Sequence, residues 1–136
     1  MIVSEIMTSD PIQVSTSATI REVMEVMYSE EIRHLPVVDG RSLVGMISDR
    51  DLRSFSMPIM AELDNLEESN EMLEQSISTL MRGDVVTVEP ETSVEDLIEV
   101  MIENRVGAVP VVTPDAQELV GIVSYIDVLK AAQSML

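Results

Sequence analysis

Residues 35–51 read LPVVDGRSLVGMISDRD, and residues 109–127 read VPVVTPDAQELVGIVSYID. Both segments contain a Pro-Val-Val run, a turn, a Leu-Val-Gly run, and a serine that is followed three positions later by aspartate. Before the turn the two halves of the chain match at an offset of 74 residues, and after it they match at an offset of 76. The chain is therefore an internal repeat in which each copy specifies the same structural unit.

Each copy opens with the pattern of a strand followed by an amphipathic helix. In copy one, Asp10-Pro11-Ile12-Gln13-Val14 alternates after a proline and predicts a short edge strand. Thr19-x-x-Glu22 then predicts a capping box, and the apolar residues after it lie on one helix face: Ile20, Val23, Met24 and Met27. Copy two repeats the pattern from Ser93-x-x-Asp96, with the matching apolar residues Val94, Leu97, Ile98 and Met101.

Two short apolar runs and a second helix complete each copy. Leu35–Val38 and Leu43–Ser48 predict buried strands joined by a turn at Asp39-Gly40, and copy two predicts the same strands at Val109–Val112 and Leu119–Ser124. Each last strand ends on a serine that can cap a helix, with a carboxylate three positions later. The predicted unit is strand, helix, strand, strand, helix.

These patterns predict an α/β (α+β) fold with two pseudo-symmetric β-α-β-β-α repeats packed sheet to sheet. Repeat 1 is assigned to residues 1–56, an acidic and partly helical connector to residues 57–75, and repeat 2 to residues 76–136. A half of about 60 residues has a marginal core on its own, so the copies are expected to share one core. Function is expected at their junction.

Composition excludes several classes of function. The chain has 25 acidic and 8 basic residues, for a formal net charge of −17, which disfavours nucleic-acid binding. Such a surface suits a salt-rich cytoplasm, and it equally suits ordinary solubilisation. The absence of cysteine excludes disulfides and thiolate sites. No apolar run is long enough to span a bilayer and the first residues do not resemble a signal peptide, so the sequence predicts a cytoplasmic protein without membrane association.

The repeated serine and aspartate are the candidate functional pair. Ser48 lies where a strand gives way to a helix, so its hydroxyl and the first free amides of that helix predict an anion site. Asp51, one turn further, can accept hydrogen bonds from two ribose hydroxyls. The alternative is that Ser48 and Asp51 only cap the helix. The recurrence of the pair in copy two, as Ser124 and Asp127, favours ligand binding.

These motifs resemble those of the cystathionine β-synthase (CBS) domain family, arranged as the tandem pair called a Bateman module. The resemblance rests on Asp10-Pro11-Ile12, residues 33–39, residues 45–51, and the copy-two segments 109–112 and 121–127. It implies a stand-alone regulatory module that binds AMP, ADP, ATP or S-adenosylmethionine in two clefts between the repeats. It also implies a homodimer that signals through itself or through an unidentified protein partner.

The resemblance also assigns residues to each cleft. One cleft would use Arg33, His34, Met46, Ser48 and Asp51 of copy one with Asp84, Val85 and Val86 of copy two. The other would use Gly107, Ala108, Ser124 and Asp127 of copy two with Asp10, Pro11 and Ile12 of copy one.

The two clefts differ in charge. Arg33 and His34 can neutralise phosphates, whereas the matching Gly107 and Ala108 cannot. The first cleft is therefore predicted to prefer a phosphorylated nucleotide, and the second to be empty or to hold a less anionic adenosyl ligand. For Arg33 and His34, the alternative of a surface position without a ligand role stays open.

Two other classes of function remain to be weighed against a sensor. A scaffold for protein interaction or dimerisation would keep the fold without ligand affinity. An enzyme is not predicted, because the chain has no cysteine, no Walker-type glycine loop and a single histidine, His34, without an evident nucleophile beside it. No catalytic residue, catalytic cofactor or metal site is assigned.

Overall fold

The computed structural model describes residues 1–54 and 66–136. The strands are β1 (Thr8–Ser9), β2 (Val14–Ser15), β3 (His34–Asp39), β4 (Ser42–Ser48), β5 (Ala108–Val112) and β6 (Leu119–Ser124). The α-helices are α1 (Ile20–Glu30), α2 (Leu66–Leu73), α3 (Val94–Asn104) and α4 (Tyr125–Met135), and residues 49–54 are also helical. The predicted mixed class with two sheets is confirmed. None of the described helices has both the length and the apolarity that crossing a membrane requires.

The chain forms two compact units, and each contains the leading segment of the other repeat. The repeat-1 unit comprises Ile12–Gly40 and Val44–Asp84, and the repeat-2 unit comprises Met1–Pro11, Arg41–Leu43 and Val85–Leu136. These spatial units therefore have other bounds than the sequence repeats assigned to residues 1–56 and 76–136. The bounds of the sequence repeats stay a prediction.

One sheet of three strands lies in the repeat-2 unit, in the order β1-β6-β5. Strand β1 is antiparallel to β6, with Thr8 opposite Ile122 and Ser9 opposite Gly121. Strand β5 is also antiparallel to β6. The first strand, β1, is thus paired with the last strand, β6.

The other sheet lies in the repeat-1 unit, in the order β2-β3-β4. Strand β2 is parallel to β3, with Val14 opposite Val37. A single antiparallel bridge joins Met46 of β4 to Arg82, at the position that matches the pairing of β1 with β6 in the other unit. The exchange of leading segments is therefore symmetric.

Buried apolar residues form a cluster within each unit, and a core shared between the copies stays a prediction. The repeat-1 cluster consists of Ala18, Ile20, Val23, Met27, Leu35, Val37, Ile47, Leu52 and Ile77. The repeat-2 cluster consists of Val3, Val88, Leu97, Met101, Val109, Val111 and Val123. Ile77 and Val3 belong to the exchanged segments, so each segment contributes a buried side chain to the unit that it joins.

The first helix of each repeat begins as its sequence predicts. The Thr19 hydroxyl accepts a hydrogen bond from the Glu22 amide at 3.1 Å, and the Glu22 carboxylate accepts one from the Thr19 amide at 3.4 Å, which is a complete capping box. Ser93 caps α3 through its hydroxyl, which accepts a hydrogen bond from the Asp96 amide at 3.0 Å. Ile98 is an exception to the predicted buried stripe, because it lies at the stripe's edge and stays 38% exposed.

The predicted edge strand from Asp10 to Val14 is wrong over most of its length. Only Val14 and Ser15 are extended and paired, and residues 11–13 have no regular structure. Asp10 has a left-handed backbone, with φ of 49°, and Pro11 has no amide hydrogen to donate to a neighbouring strand. The chain therefore turns at Asp10, between β1 and β2.

Part of the predicted connector is helical. Helix α2 ends at Leu73, inside the segment 57–75, whereas residues 57–65 of that segment lie outside the described residues. Arg21 of α1 donates to the Glu74 carboxylate at 2.7 Å and to the Asn70 side chain at 3.0 Å. These contacts attach the end of the connector to the first helix of the repeat-1 unit.

Candidate ligand-binding sites

Ser48 and Asp51 form a closed pair at the end of β4. The Ser48 amide and hydroxyl both donate to Asp51 Oδ2, at 3.0 and 2.8 Å, and the Asp51 amide donates to Ser48 Oγ at 3.2 Å. This arrangement has the hydrogen bonds of a capping box with aspartate in place of glutamate. It leaves the second carboxylate oxygen, Oδ1, outside the cap.

Arg82 contacts Asp51 Oδ1, the carboxylate oxygen that takes no part in the cap. Its Nη2 atom lies 3.4 Å from Asp51 Oδ1, and the Arg82 side chain is 70% exposed while that of Asp51 is 15% exposed. The Arg82 backbone is held on β4, because its amide donates to the Met46 carbonyl at 3.0 Å and its carbonyl accepts from the Met46 amide at 3.1 Å. The guanidinium therefore reaches Asp51 from a fixed backbone.

Gly45 makes this close approach of backbones possible. A Cβ at Gly45 would lie 2.6 Å from Met81 Sδ and 3.1 Å from the Arg82 carbonyl oxygen. Any larger side chain would push the Arg82 segment away from β4. Gly45, in the middle of β4, thus allows the Arg82 backbone to pair with this strand.

His34 lies half-buried at the start of β3, and its protonation is controlled by its surroundings. Burial lowers the pKa of His34, because removal of water penalises the charged imidazolium. The Asp51 carboxylate opposes this shift, the Arg33 guanidinium adds to it, and the Asp49 carboxylate opposes it. The imidazole is therefore electrostatically coupled to the aspartate of the candidate site.

The repeat-2 unit contains the same closed pair at the end of β6. The Ser124 amide and hydroxyl donate to Asp127 Oδ2 at 2.8 and 3.2 Å, and the Asp127 amide donates to Ser124 Oγ at 3.3 Å. Gly121 again lets the exchanged segment approach, because a Cβ there would lie 2.5 Å from Met7 Sδ and 3.0 Å from the Thr8 carbonyl oxygen. The backbone framework is the same in both units.

The side chains around the second pair are different. Thr8 takes the position of Arg82, and the positions of Arg33 and His34 are Gly107 and Ala108. The Tyr125 ring lies against Gly107, where a Cβ would be 3.4 Å from Tyr125 Cδ1. No lysine or arginine forms an ion pair with Asp127 within the part of the chain that the structure describes. The second site is therefore less basic than the first.

Most of the residues predicted for each site lie in one compact unit, and their assignment to a ligand site stays a prediction. Arg33, His34, Met46, Ser48, Asp51 and Asp84 all lie in the repeat-1 unit, and Asp10, Pro11, Gly107, Ala108, Ser124 and Asp127 all lie in the repeat-2 unit. Met46 is only 9% exposed, and its backbone amide and carbonyl are both paired with Arg82. Val85 and Val86 fall in the repeat-2 unit and Ile12 in the repeat-1 unit, so their roles in the opposite sites stay predictions.

Sequence reasoning missed Arg82. The offset of 74 matches Arg82 with Thr8, and a threonine gives no reason to expect a charged contact at that position. The available signal was that Arg82 is a basic residue two positions before Asp84, which was already assigned to the same site.

Comparison with known proteins places the chain in a family. The CBS domain model matches residues 3–57 and residues 77–134. Inosine-5'-monophosphate dehydrogenase of Methanocaldococcus jannaschii is 32% identical over 127 residues, which are 93% of this chain and 22% of that protein. The chain spans 22% to 36% of the lengths of three such curated relatives.

Two solved structures are similar over nearly the whole chain. CBSX2 in complex with AMP has 26% sequence identity and a TM-score of 0.82, with 98% of this chain and 97% of that chain covered. The CBS domain pair of MJ0100, in complex with 5'-methylthioadenosine and S-adenosyl-L-methionine, has 26% identity and a TM-score of 0.78, with 97% of this chain and 99% of that chain covered. The chain belongs to the CBS domain family, as a tandem pair of CBS repeats.

Proposed function

We propose that this chain is a regulatory module in which the Ser48/Asp51 site binds a phosphorylated adenine nucleotide, such as AMP, ADP or ATP. The Ser124/Asp127 site is empty or takes a less anionic adenosyl ligand, such as S-adenosylmethionine. One observation carries the proposal: the two units contain the same closed serine–aspartate pair, and only the first has Arg33, His34 and Arg82 in its unit at the matched positions.

The chemistry of the first site fits a nucleotide. Asp51 Oδ1 is an acceptor outside the cap and suits ribose hydroxyls, which are hydrogen-bond donors. Guanidinium and imidazolium groups suit phosphate oxygens, with which they form charge-assisted hydrogen bonds. The ligands seen in the similar structures, AMP in CBSX2 and two sulfur-containing adenosyl compounds in MJ0100, support an adenosyl ligand here.

The bound state would be read by another surface of the module. Ile98, Ile102 and Leu129, on α3 and α4 of the repeat-2 unit, are 38%, 71% and 59% exposed. Exposed apolar side chains of this kind support a homodimer or a protein partner as the reader of the signal. We place the module in the cytoplasm and assign it no catalytic step.

Calorimetry on matched variants tests the assignment of the two sites. We expect Ser48→Ala/Asp51→Ala to abolish AMP binding and Ser124→Ala/Asp127→Ala to leave it intact. Thr19→Ala/Glu22→Ala is the control, because it removes a capping box from the same unit without touching the site. Loss of AMP binding only in the Ser124/Asp127 variant would reverse the assignment.

A scaffold without ligand affinity is the second candidate, and one observation favours it. Three hydrogen bonds join the serine and the aspartate of each pair and cap the helix that follows. Helix capping alone is therefore enough to account for both pairs. Thermal unfolding separates the two functions, since a ligand at a hundred times its Kd adds about 2.7 kcal/mol to the stability of the folded state. No shift with AMP, ATP or S-adenosylmethionine would favour the scaffold.

A further inference from the structure

Both carboxylate oxygens of Asp51 accept hydrogen bonds from side-chain or backbone groups of the chain itself. Oδ2 accepts from the Ser48 amide and hydroxyl, and Oδ1 accepts from Arg82 Nη2 at 3.4 Å. A ribose that binds Asp51 therefore has to compete with Arg82 for Oδ1. In the repeat-2 unit, Thr8 stands at the position of Arg82, so Asp127 has no such competitor there.

The contact between Arg82 and Asp51 is easy to break. The Arg82 side chain is 70% exposed, so water competes for the guanidinium, and an exposed ion pair is weak. The backbone of Arg82 is fixed by its two hydrogen bonds to Met46, so release requires only rotation of the side chain. A long arginine side chain on a fixed backbone can exchange one anion for another nearby without any change in the fold.

We propose that Arg82 is a specificity-determining residue, which holds Asp51 while the site is empty and transfers to a ligand phosphate when a nucleotide binds. The inference rests on the proposed function. A ligand with a phosphate displaces the guanidinium from Asp51 and gives it a new anionic partner. A ligand without a phosphate displaces it and offers nothing in return. The exchange therefore makes the site discriminate AMP from adenosine.

The test is calorimetric titration of Arg82→Thr with AMP and with adenosine, since threonine is the residue at the matching position of the other unit. We expect AMP binding to weaken about tenfold, because a charge-assisted hydrogen bond is lost. Adenosine binding is expected to strengthen by up to about fivefold, because its competitor for Asp51 is removed. The preference for AMP over adenosine therefore falls by more than tenfold.

Two further variants make the test specific. Arg105→Gln removes one positive charge from an exposed helix end in the other unit, and we expect it to leave the preference unchanged. Thr8→Arg adds a guanidinium on the equivalent backbone, and we expect it to raise the preference for AMP at the site that contains Asp127. Arg82 is exposed, so its replacement by threonine is compatible with folding, which a urea unfolding curve checks.

The outcomes separate this inference from the proposed function. If the wild-type protein binds AMP and Arg82→Thr keeps the same preference for AMP over adenosine, the exchange by Arg82 is overturned and the proposed function stands. Equal weakening of AMP and adenosine would also overturn it, because Arg82 would then support the site without discriminating. If the wild-type protein binds neither compound, the proposed function fails and the inference fails with it.

Discussion

The Ser48/Asp51 and Ser124/Asp127 sites share a backbone and differ in their surroundings. In both, three hydrogen bonds close the serine–aspartate pair, and a glycine three residues before the serine admits an exchanged segment. The basic side chains belong to one site alone. Under the proposed function, the repeated backbone would hold the ligand, and the few positions at which the copies differ would decide which ligand is preferred.

The largest expected effect comes from the exchanged segments. Ile77 and Val3 occupy matching positions and are both fully buried, each in the unit that its segment joins. We expect Ile77→Ala to lower the free energy of unfolding by about 2–5 kcal/mol, because it leaves a cavity in the repeat-1 cluster. Val3→Ala should have a smaller effect, in the repeat-2 cluster. Urea unfolding measures the size of each loss.

Hydrogen exchange then shows where each loss falls. We expect Ile77→Ala to reduce amide protection first in β3 and β4, and Val3→Ala to reduce it first in β5 and β6. Ile102→Ala is the control, because Ile102 is 71% exposed and its truncation should change stability by less than about 0.5 kcal/mol. Loss of protection confined to β5 and β6 in Ile77→Ala would contradict the exchange.

A smaller effect is expected where the exchanged segment meets β4. We expect Gly45→Ala to cost about 1–3 kcal/mol, because the new methyl group would meet Met81 Sδ and the Arg82 carbonyl oxygen. Gly83→Ala is the matched control, because a Cβ there meets nothing within 4 Å. Thermal unfolding of the two variants measures the difference. Equal stabilities of Gly45→Ala and Gly83→Ala would show that the Arg82 segment does not pack closely against β4 at Gly45.

The smallest effect is the dependence of stability on pH that comes from His34, the single histidine of the chain, in the repeat-1 unit. Burial lowers the pKa of His34, so the unfolded chain takes up the proton first as the pH falls. The contribution of His34 is therefore fully present above its unfolded pKa of about 6.5 and is lost as the pH falls through the folded pKa. We expect His34→Gln to flatten the curve of stability against pH in that window.

Urea unfolding at a series of pH values between about 5 and 8 tests this expectation. The matching residue of the other unit is Ala108, which has no proton to exchange, so the whole difference between wild type and variant is assigned to His34. An unchanged slope in His34→Gln would place the imidazole in contact with water in both states. The comparison of the two sites would then rest on Arg33 and Arg82 alone.

Most of the local structure could be predicted from short patterns. The capping boxes were readable because a serine or threonine with an acid three residues later satisfies the free amides at a helix start, as Thr19 and Ser124 do. The strands were readable because Pro-Val-Val and Leu-Val-Gly runs favour buried extended backbone. Repetition in both copies strengthened each prediction.

What could not be predicted depends on contacts between distant residues. The pairing of Arg82 with Asp51 joins positions 31 residues apart and has no counterpart in copy two, so the repeat gave no signal for it. The exchange of leading segments has no signature in composition or periodicity, because Val3 and Ile77 look like ordinary apolar residues before a turn. Only the family resemblance indicated it, by assigning Asp84 to the first site and Asp10 to the second. The course of residues 10–13 followed from the left-handed backbone at Asp10, which overrode the alternating pattern.

The exchange of leading segments affects how the protein is made. Strand β1 is synthesised long before its partners Gly121 and Ile122 in β6. The repeat-1 unit lacks nothing once Asp84 has emerged, so it can fold during translation while β1 waits. Until β6 has been synthesised, the hydrogen-bonding edge of β1 stays unpaired. Because β1 is only two residues long, this edge offers little surface for aggregation.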